Sequence, residues 1–526
     1  MNKTIRNRIF RPAFLSLAIL LFFTIIRIIL ADITGLGIDE SYNARGILHL
    51  RWAYIDHPPL FYSLSHLSVG ILGLNNLAIR LPSILLFAGT HLLLYAATRR
   101  LFHERAALWA VVLLNLSFIF TFPVATWCQP DAPLLFFWML SVYLSVRIFF
   151  PSPADEPGKG KFLLWACLGL SIGLATWSKY HSVFLPAGLF LFMAFHKQHR
   201  HWLKKPAPYL GFLLFLLILL PLILWNYRND WVSFSLQFSR ALPEKGLSLH
   251  PEWLLRNIVG QALWLSPWIW WPLMGQLVRT IQSMKTDPKN AFLFWLAVLP
   301  ILFFTLITLW ADTQYRFHWQ APGYLILLIP LGHSFSRKET INPAPIRRFV
   351  VAASLLLLLL SGVFTAHMIT GFWQFWGPGK ITRMTGGHYD PTLEGVDFDA
   401  IRERFEKNGW LENPNVFVGG VRWWQAGKTD WALRCKKEMV VFDRNISNYT
   451  LYQNPSLLIG KDAVIVRFPG NNSPPDVALY FDTLTRLEDI EIIRGGRTEL
   501  LLEVFYGTRF HRPDTGKEDY LFGGNR

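Results

Sequence analysis

Cysteine is scarce in this chain of 526 residues, which has three copies, at Cys128, Cys167 and Cys435. Three widely separated thiols cannot build the paired framework of a disulfide-rich secreted protein, and their spacing does not fit a structural zinc site. We interpret them as packing residues. The sequence also lacks a glycine-rich loop of the kind that cradles nucleotide phosphates, which argues against nucleotide binding.

Charged residues are also few. They make up 16% of the chain, whereas hydrophobic residues make up 52% and aromatic residues 15%. The apolar residues form long blocks, such as Phe14 to Leu30 and Val350 to Phe364. Each block approaches the roughly 20 residues that a helix needs to cross a bilayer core. The sequence therefore predicts a polytopic α-helical membrane protein.

The formal net charge of +16 does not indicate nucleic-acid binding, because the basic residues form short clusters between apolar blocks. We predict eleven spans, with the first uncleaved because no small-residue cleavage site precedes Asp32. Their approximate ranges are 13–31, 78–98, 107–125, 132–150, 162–178, 180–196, 208–226, 256–275, 291–310, 320–335 and 347–369.

The distribution of Lys and Arg predicts the orientation of these spans. One set of connecting segments contains 20 such residues and the opposite set contains 7. Cytoplasmic segments carry the excess, so we expect the amino terminus inside and everything after Gly371 outside. We divide the chain into a transmembrane domain, 1–370, and an extracytoplasmic α/β domain, 371–526. The second domain contains short β-branched runs, such as Val416 to Val418, Ala463 to Val466 and Leu500 to Phe505.

An acidic pair, Asp39 and Glu40, lies just beyond the first span and is followed by Tyr42 and, further on, by His57 before two prolines. Acids at the mouth of a span are costly to desolvate unless they are solvated, paired or functional. A solvated loop whose acids cap the next helix, with His57 shaping a turn, explains the pattern as well as a catalytic site does.

Further polar residues are predicted on the same face, at Asp131, Lys179, Arg316, His318 and Trp319. Carboxylates suit proton abstraction from a hydroxyl, whereas Lys179 and Arg316 suit phosphate binding. Other interpretations stay open. Lys179 can extend to the membrane interface, Arg316 can pair with a neighbouring acid, and Asp131 can cap a helix.

As an ordered set, these segments resemble the bacterial GT-C glycosyltransferases, in the protein-mannosyltransferase-like group with the aminoarabinose transferases of lipid A and the rhizobial galacturonosyltransferases. The resemblance covers nearly all of residues 10–370. The segments that carry it are Asp39-Glu40, Asp56 to Leu60, Leu77 to Pro82, Pro130 to Pro133, Gly173 to Tyr180 and His318 to Tyr324.

The resemblance implies a polyprenyl-phosphate sugar donor, a lipid A or other cell-envelope glycan acceptor, inverting transfer, and a multi-pass protein of the inner membrane whose site faces the periplasm. It implies that Asp39 is the base. We expect no metal and no other cofactor. The aminoarabinose branch often has lysine where this chain has His57, so the sugar is left open. The site residues fall into three groups: catalytic acids Asp39, Glu40 and Asp131; donor-phosphate ligands Lys179, Arg316 and His57; and acceptor or cavity residues Tyr42, His318 and Trp319.

A transporter or flippase of lipid-linked sugars is the main alternative, because it would also need many spans and buried charges. Its charges should lie near the middle of the membrane, whereas here they collect at one side. A non-catalytic scaffold that displays the tail is a third hypothesis, and it leaves Asp39, Lys179 and Arg316 unexplained.

Overall fold

The computed structural model describes residues 11–152, 160–242, 246, 248–376, 389–469, 477–513 and 521–522, and their contacts divide the chain into two compact units. The first, which we call the helical unit, comprises the described parts of Met1–Ile29, His57–Phe61 and Arg80–Leu358. The second, which we call the mixed unit, comprises Leu30–Asp56, Tyr62–Ile79 and the described parts of Leu359–Arg526.

Helices dominate the described chain before residue 371. An apolar segment in lipid must satisfy its backbone hydrogen bonds internally, and a helix does so within one segment. The helices are α1 Pro12–Ile33, α2 Ile38–Leu48, α3 Leu60–Leu72, α4 Asn76–Leu101, α5 Glu104–Asn115, α6 Phe118–Thr121, α7 Pro123–Thr126, α8 Asp131–Phe149, α9 Gly160–Ser178, α10 Phe184–Phe195, α11 Pro206–Arg228, α12 Val232–Ser239, α13 Pro251–Leu265, α14 Pro267–Ser283, α15 Pro288–Leu306, α16 Ala321–Ile341 and α17 Pro343–Thr370.

Within the described residues, seven of these helices are long and apolar enough to cross a membrane, or eight if the bent set α5 to α7 is one span. The protein is therefore a multi-pass membrane protein, as the sequence predicts. All of the predicted spans overlap helices of the structure. Their number, eleven, stays a prediction.

The predicted span 107–125 bends by 90° between α5 and α6. The buried guanidinium of Arg27 in α1 holds both arms of this bend. Its Nη2 donates to the side-chain oxygen of Asn115, the last residue of α5, at 3.0 Å, and its Nε donates to the carbonyl of Thr121, the last residue of α6, at 2.9 Å. Arg27 thus satisfies polar groups at a bend that lies within an apolar environment.

The predicted span 256–275 is divided into two helices, α13 and α14. Ser266 separates them with a backbone φ of 74°, and Pro267 begins the second helix. The hydroxyl oxygen of Ser266 accepts a hydrogen bond from the backbone N–H of Phe118 at 3.1 Å. The break in one helix therefore supports the start of another.

Helices in this unit pack closely where glycines face each other. A Cβ atom added at Gly169 in α9 would lie 1.9 Å from the carbonyl oxygen of Gly211 in α11. A side chain at this position would force the two helices apart, so the contact requires glycine.

The mixed unit contains a six-stranded sheet with the strand order β2-β1-β3-β6-β4, in which β5 pairs with β6. The strands β1, β2 and β3 are parallel, and β6 pairs antiparallel with β3, β4 and β5. The predicted α/β class is confirmed. The elements are β1 Val416–Gly420, β2 Met439–Val441, β3 Asp462–Arg467, β4 Phe481–Arg486, β5 Ile490–Arg494, β6 Arg497–Phe510, α18 Asp399–Lys407 and α19 Trp423–Ala432.

The helix that carries the acidic pair, α2, also belongs to the mixed unit and packs on α19. Arg45 of α2 donates from Nε and Nη2 to the two carboxylate oxygens of Asp430 at 2.6 and 2.7 Å, and both side chains are buried. A Cβ atom at Gly427 would lie 2.8 Å from the backbone of Tyr42. The mixed unit thus contains both the first loop, within Leu30–Asp56, and the described residues after 371. The predicted boundary at 370/371 places these two parts in different domains.

Candidate active site

A buried ion pair between Asp131 and Lys179 lies within the helical unit. The ammonium group of Lys179 donates to both carboxylate oxygens of Asp131 at 2.9 Å, and the two residues are 4% and 5% exposed respectively. Lys179 therefore does not extend to the membrane interface, and the Asp131 side chain binds it at the first residue of α8. Breaking such a pair leaves an uncompensated buried charge.

Local breaks in helices bring these two residues out of the apolar runs. Asp131 begins α8 directly after Pro130, and Lys179 follows α9 with an extended backbone, φ −156° and ψ 137°. Because the chain changes direction at both positions, their side chains leave the helix surfaces that pack against neighbouring helices.

Three histidines lie around this ion pair. His181 follows Lys179 in a turn of 3₁₀-helix, and its ring meets the ring of Trp319 edge-on at 5.1 Å. Burial lowers the pKa of His318 to about 4, with Lys179 and Arg316 lowering it and Asp131 raising it. Burial also lowers the pKa of His57 well below its ordinary value, and nearby cations lower it further. His57 and His318 are therefore neutral at pH 7.

Two arginines, Arg240 and Arg316, line one cavity of about 540 Å³ in the helical unit. Its walls include the indole rings of Trp253, Trp310 and Trp319. Asp312 also lines the cavity, and it accepts a hydrogen bond from Gln314 at 3.1 Å. A concave surface with cationic groups and aromatic walls suits an anionic ligand that also carries a sugar or lipid portion.

The loop that carries Arg316 is fixed by polar contacts with α13. Asn257 donates to the carbonyl of Gln314 at 3.1 Å and accepts from the side chain of Gln320 at 3.2 Å. Phe317 lies over Gly260, where a Cβ atom would be 2.0 Å from its ring. These contacts hold both ends and the middle of the loop between α15 and α16.

The predicted acids of the first loop belong to the mixed unit. Asp39 is exposed, whereas Glu40 is buried and accepts a hydrogen bond from the backbone N–H of Gly37 at 3.1 Å. Glu40 thus supports the start of α2, as the capping hypothesis predicts for one acid of the pair. Asp39 is the acid with an accessible carboxylate.

A third carboxyl group, Glu394, lies near Asp39 in the mixed unit. Burial raises the pKa of Glu394 to about 7, the charge of Asp39 raises it further, and Lys428 lowers it. Its carboxylate also accepts a hydrogen bond from Tyr389 at 3.4 Å. A group with this pKa is partly protonated at neutral pH, which limits the repulsion it exerts on an ionised Asp39.

Tyr42 has contacts that indicate a structural role. Its hydroxyl donates to Asp56 at 2.5 Å and accepts from the backbone N–H of Asn448 at 2.6 Å. Its ring meets Trp423 at 4.8 Å. Burial raises the pKa of Tyr42 well above its ordinary value. The predicted contact of Tyr42 with an acceptor stays a prediction.

Comparison with known proteins extends these observations. Residues 56–225 match the model of a family described as dolichyl-phosphate-mannose-protein mannosyltransferase. Two crystal structures of ArnT from Cupriavidus metallidurans are similar to this one. The apo structure has a TM-score of 0.62 at 15% identity, and the structure bound to undecaprenyl phosphate has a TM-score of 0.60 at 16% identity. Each comparison covers 93% of this chain and 97% of the other.

The resemblance to the GT-C group is confirmed. The GT-C fold is confirmed with it, although at this identity the two structures are evidence of the fold alone.

Curated proteins similar to this chain are named as transferases. The undecaprenyl phosphate-alpha-4-amino-4-deoxy-L-arabinose arabinosyl transferase 2 of Proteus mirabilis is 25% identical over 340 residues, which are 61% of this chain and 59% of that protein. A Yersinia pestis protein, named as the same transferase without the number, is 25% identical over 263 residues, which are 48% of this chain and 45% of the relative. This chain therefore spans about half the length of the curated relatives it matches.

Sequence reasoning did not single out Arg240, His181 or Glu394. Arg240 lies in a predicted connecting segment, and His181 lies at the start of the predicted span 180–196. Glu394 lies about 350 residues from Asp39, so no local spacing could have linked the two. Within the described residues, no three His, Cys, Asp or Glu side chains converge as a metal site.

We expect Asp131→Asn to lower the thermal unfolding temperature of the purified protein, because Lys179 would then be a buried charge without its carboxylate. Adding Lys179→Met should restore much of the loss, since the double variant contains neither charge. The exposed pair Arg99–Glu104, whose side chains are 59% and 45% exposed, gives the control. Arg99→Gln should change the unfolding temperature little, because an exposed ion pair contributes little to stability. A double variant whose unfolding temperature falls by the sum of the two separate losses would contradict the coupling between Asp131 and Lys179.

The pH dependence of stability tests Glu394. Its folded pKa of about 7 exceeds the ordinary 4.5, so its contribution is complete below pH 4.5 and is lost as pH rises through 7. The unfolding temperature of the wild type should therefore fall more between pH 5 and 8 than that of Glu394→Gln. The exposed Glu412 provides the control as Glu412→Gln, which should follow the wild type. Parallel curves for wild type and Glu394→Gln would refute the raised pKa.

Proposed function

We propose that this chain is an inverting glycosyltransferase that moves a sugar from a polyprenyl-phosphate donor to an extracytoplasmic acceptor such as lipid A or another cell-envelope glycan. It acts in the inner membrane, with its site and the domain 371–526 on the periplasmic side. The excess of Lys and Arg in the opposite connecting segments supports this orientation.

The observation that carries the proposal is the cationic cavity of the helical unit. Arg240 and Arg316 line this cavity. The charges of Lys179, Arg240 and Arg316 all lower the pKa of His57. Asp131 compensates Lys179, and the cavity itself is lined by two guanidinium groups, those of Arg240 and Arg316, and by one carboxylate, that of Asp312. A sugar phosphodiester is an anion, and a guanidinium binds phosphate oxygens in a bidentate manner.

Names of similar proteins support the donor class. The Proteus mirabilis and Yersinia pestis relatives are named for undecaprenyl phosphate-linked aminoarabinose, and one of the two similar ArnT structures is bound to undecaprenyl phosphate. All of these names contain undecaprenyl phosphate, which is a lipid phosphate. The sugar used by this chain is a separate question, since His57 departs from the lysine common in the aminoarabinose branch.

In the proposed reaction, an oxygen of the acceptor attacks the anomeric carbon of the donor sugar while the bond from that carbon to the phosphate oxygen breaks. Asp39 accepts the proton of the attacking hydroxyl, and polyprenyl phosphate leaves with its charge offset by Arg240 and Arg316. His57 is neutral, so it binds phosphate as a hydrogen-bond donor and adds no charge. Positioned base catalysis typically contributes about 10²–10⁴-fold.

Glu40 and Asp131 assist without reacting in this scheme: Glu40 holds the start of α2, and Asp131 holds Lys179. His318 and Trp319 belong to the region that receives the sugar or the acceptor. Trp319 lines the cavity, and an indole face packs well on a sugar ring. An acceptor that attacks through an already ionised phosphate would need little help from Asp39.

Transfer by purified protein in lipid vesicles tests the proposal. Wild type is given a panel of undecaprenyl-phosphate sugars with lipid A, and Asp39→Asn is compared with it. We expect the variant to retain at most about one hundredth of the wild-type rate with a hydroxyl acceptor. Full activity of Asp39→Asn would exclude Asp39 as the base. Translocation of the lipid-linked sugar without transfer, across the whole panel, would favour a flippase.

Donor binding tests the two arginines. Arg316→Ala and Arg240→Ala should each raise KM for the donor about tenfold or more, because a charge-assisted contact with phosphate is lost. The matched control is Arg228→Ala, since Arg228 is exposed at the end of α11 and does not line the cavity. Kinetics are measured at saturating acceptor. Donor KM values equal to that of the control would refute the assignment.

A further inference from the structure

Lys428 of α19 places its ammonium group among three backbone carbonyls of the mixed unit. It donates to Leu36 at 2.8 Å, to Val396 at 2.8 Å and to Glu394 at 2.9 Å. The residue is 2% exposed. An ammonium group has three N–H donors, so these contacts use its full donor capacity. Two separate parts of the chain, the first loop and residues 394–396, are thereby joined at one atom.

The segment held by Lys428 has further ties to the same part of the tail. The backbone N–H of Gly35 donates to the carbonyl of Gly395 at 2.8 Å, and the N–H of Leu36 donates to the carboxylate of Asp397 at 3.3 Å. A Cβ atom at Gly35 would lie 2.4 Å from the backbone nitrogen of Asp397. The close approach of the two backbones requires glycine at this position.

The Leu36 carbonyl lies immediately before the helix that carries the proposed base. Gly37 is the N-cap of α2, and Asp39 is its second residue. The hydroxyl of Ser41 also donates to the Leu36 carbonyl, at 3.1 Å. Helix ends fray when their backbone groups lack partners. By holding Leu36, Lys428 therefore restrains the end of α2 at which Asp39 is found.

The same ammonium group also affects the carboxyl group of Glu394, whose pKa is raised by the charge of Asp39. It binds the Glu394 carbonyl, and its charge lowers the pKa of the Glu394 side chain against the effect of burial. The ring of Phe398 lies 4.6 Å from the ammonium nitrogen and provides a favourable face for a cation. The surroundings of Lys428 are thus suited to a charged donor, and an apolar side chain of similar length would remove one hydrogen bond from each of three carbonyls.

We propose that Lys428 is a positioning residue for the reaction, which fixes the start of α2 and with it the carboxylate of Asp39. The inference rests on the proposed function, because it takes Asp39 to be the base. It assigns the tail a direct part in catalysis: α19 holds the residue that reacts, although no atom of Lys428 needs to touch the substrate.

The test compares full-length Lys428→Met with Lys461→Met. Lys461 also donates to a backbone carbonyl, that of Pro414 at 2.9 Å, but it is only half-buried and is distant in sequence from the Leu36 contact. Hydrogen exchange is measured on peptides that cover residues 35–48, and transfer is measured with undecaprenyl-phosphate sugars. Lys428→Met should exchange at least about tenfold faster in residues 37–42, while the sheet β1 to β6 is unchanged.

The kinetic expectation is a fall in kcat of about tenfold or more with donor KM within twofold of wild type, since misplacement of a reacting group affects the chemical step. Lys461→Met should match the wild type in both measurements. Ser41→Ala is a milder change at the same carbonyl and should shift exchange and kcat in the same direction by a smaller factor, which keeps the test available if Lys428→Met does not fold.

Unchanged exchange in residues 37–42 would overturn the proposal whatever the enzyme transfers. Faster exchange with unchanged kcat would also overturn it, because α2 would then be loosened without consequence for the reaction. Absence of transfer by the wild type across the donor panel is a different result, because it refutes the proposed function. The exchange measurement would then still show whether Lys428 stabilises the start of α2.

Discussion

A charge can be kept in the interior of a membrane protein only if something nearby compensates it, and the Asp131–Lys179 ion pair meets that requirement in the helical unit. Each partner compensates the charge of the other, so both residues can be buried to about 5% exposure. The pair also determines the electrostatics around it. Asp131 compensates Lys179, and the nearby cavity is lined by Arg240, Arg316 and the carboxylate of Asp312. His57 and His318 nearby are neutral because burial lowers their pKa values, and the charges of Lys179 and Arg316 lower them further.

The sequence predicted those features that depend on short stretches of chain. Apolar runs located the helices, and β-branched runs located β1, β2, β3 and β6, because both patterns reflect local periodicity. The interruption at Ser266 escaped prediction, since a positive φ at a serine depends on its neighbours and has no local signature. The strand β1 ends at Gly420, and the aromatic residues that follow it begin a helix, α19, at Trp423. Aromatic residues are common in both kinds of element, so composition could not separate them.

The candidate site was predicted in part for similar reasons. Asp131, Lys179 and Arg316 drew attention because ionisable residues between apolar runs need an explanation. Their pairing was not foreseen: Lys179 was considered with phosphate or with the membrane interface, and not with Asp131. The relation between Asp39 and Glu394 depends on a fold that brings the first loop to the tail, which no local pattern reports. The assignment of Asp39 as the base still rests on the family resemblance and on its exposed carboxylate.

The contacts of Arg27 have a consequence for the order in which the chain is made. Its hydrogen-bond partners Asn115 and Thr121 follow it by 88 and 94 residues. During synthesis the first span therefore leaves the ribosome with a guanidinium that has none of these bonds, and a lone arginine at mid-span costs about 2.5–3.5 kcal/mol on insertion. The strongly apolar remainder of α1 must offset that cost until α5 and α6 arrive. Assembly of the first span is thus completed by a segment translated much later, and a chain interrupted before Asn115 would leave this span poorly anchored.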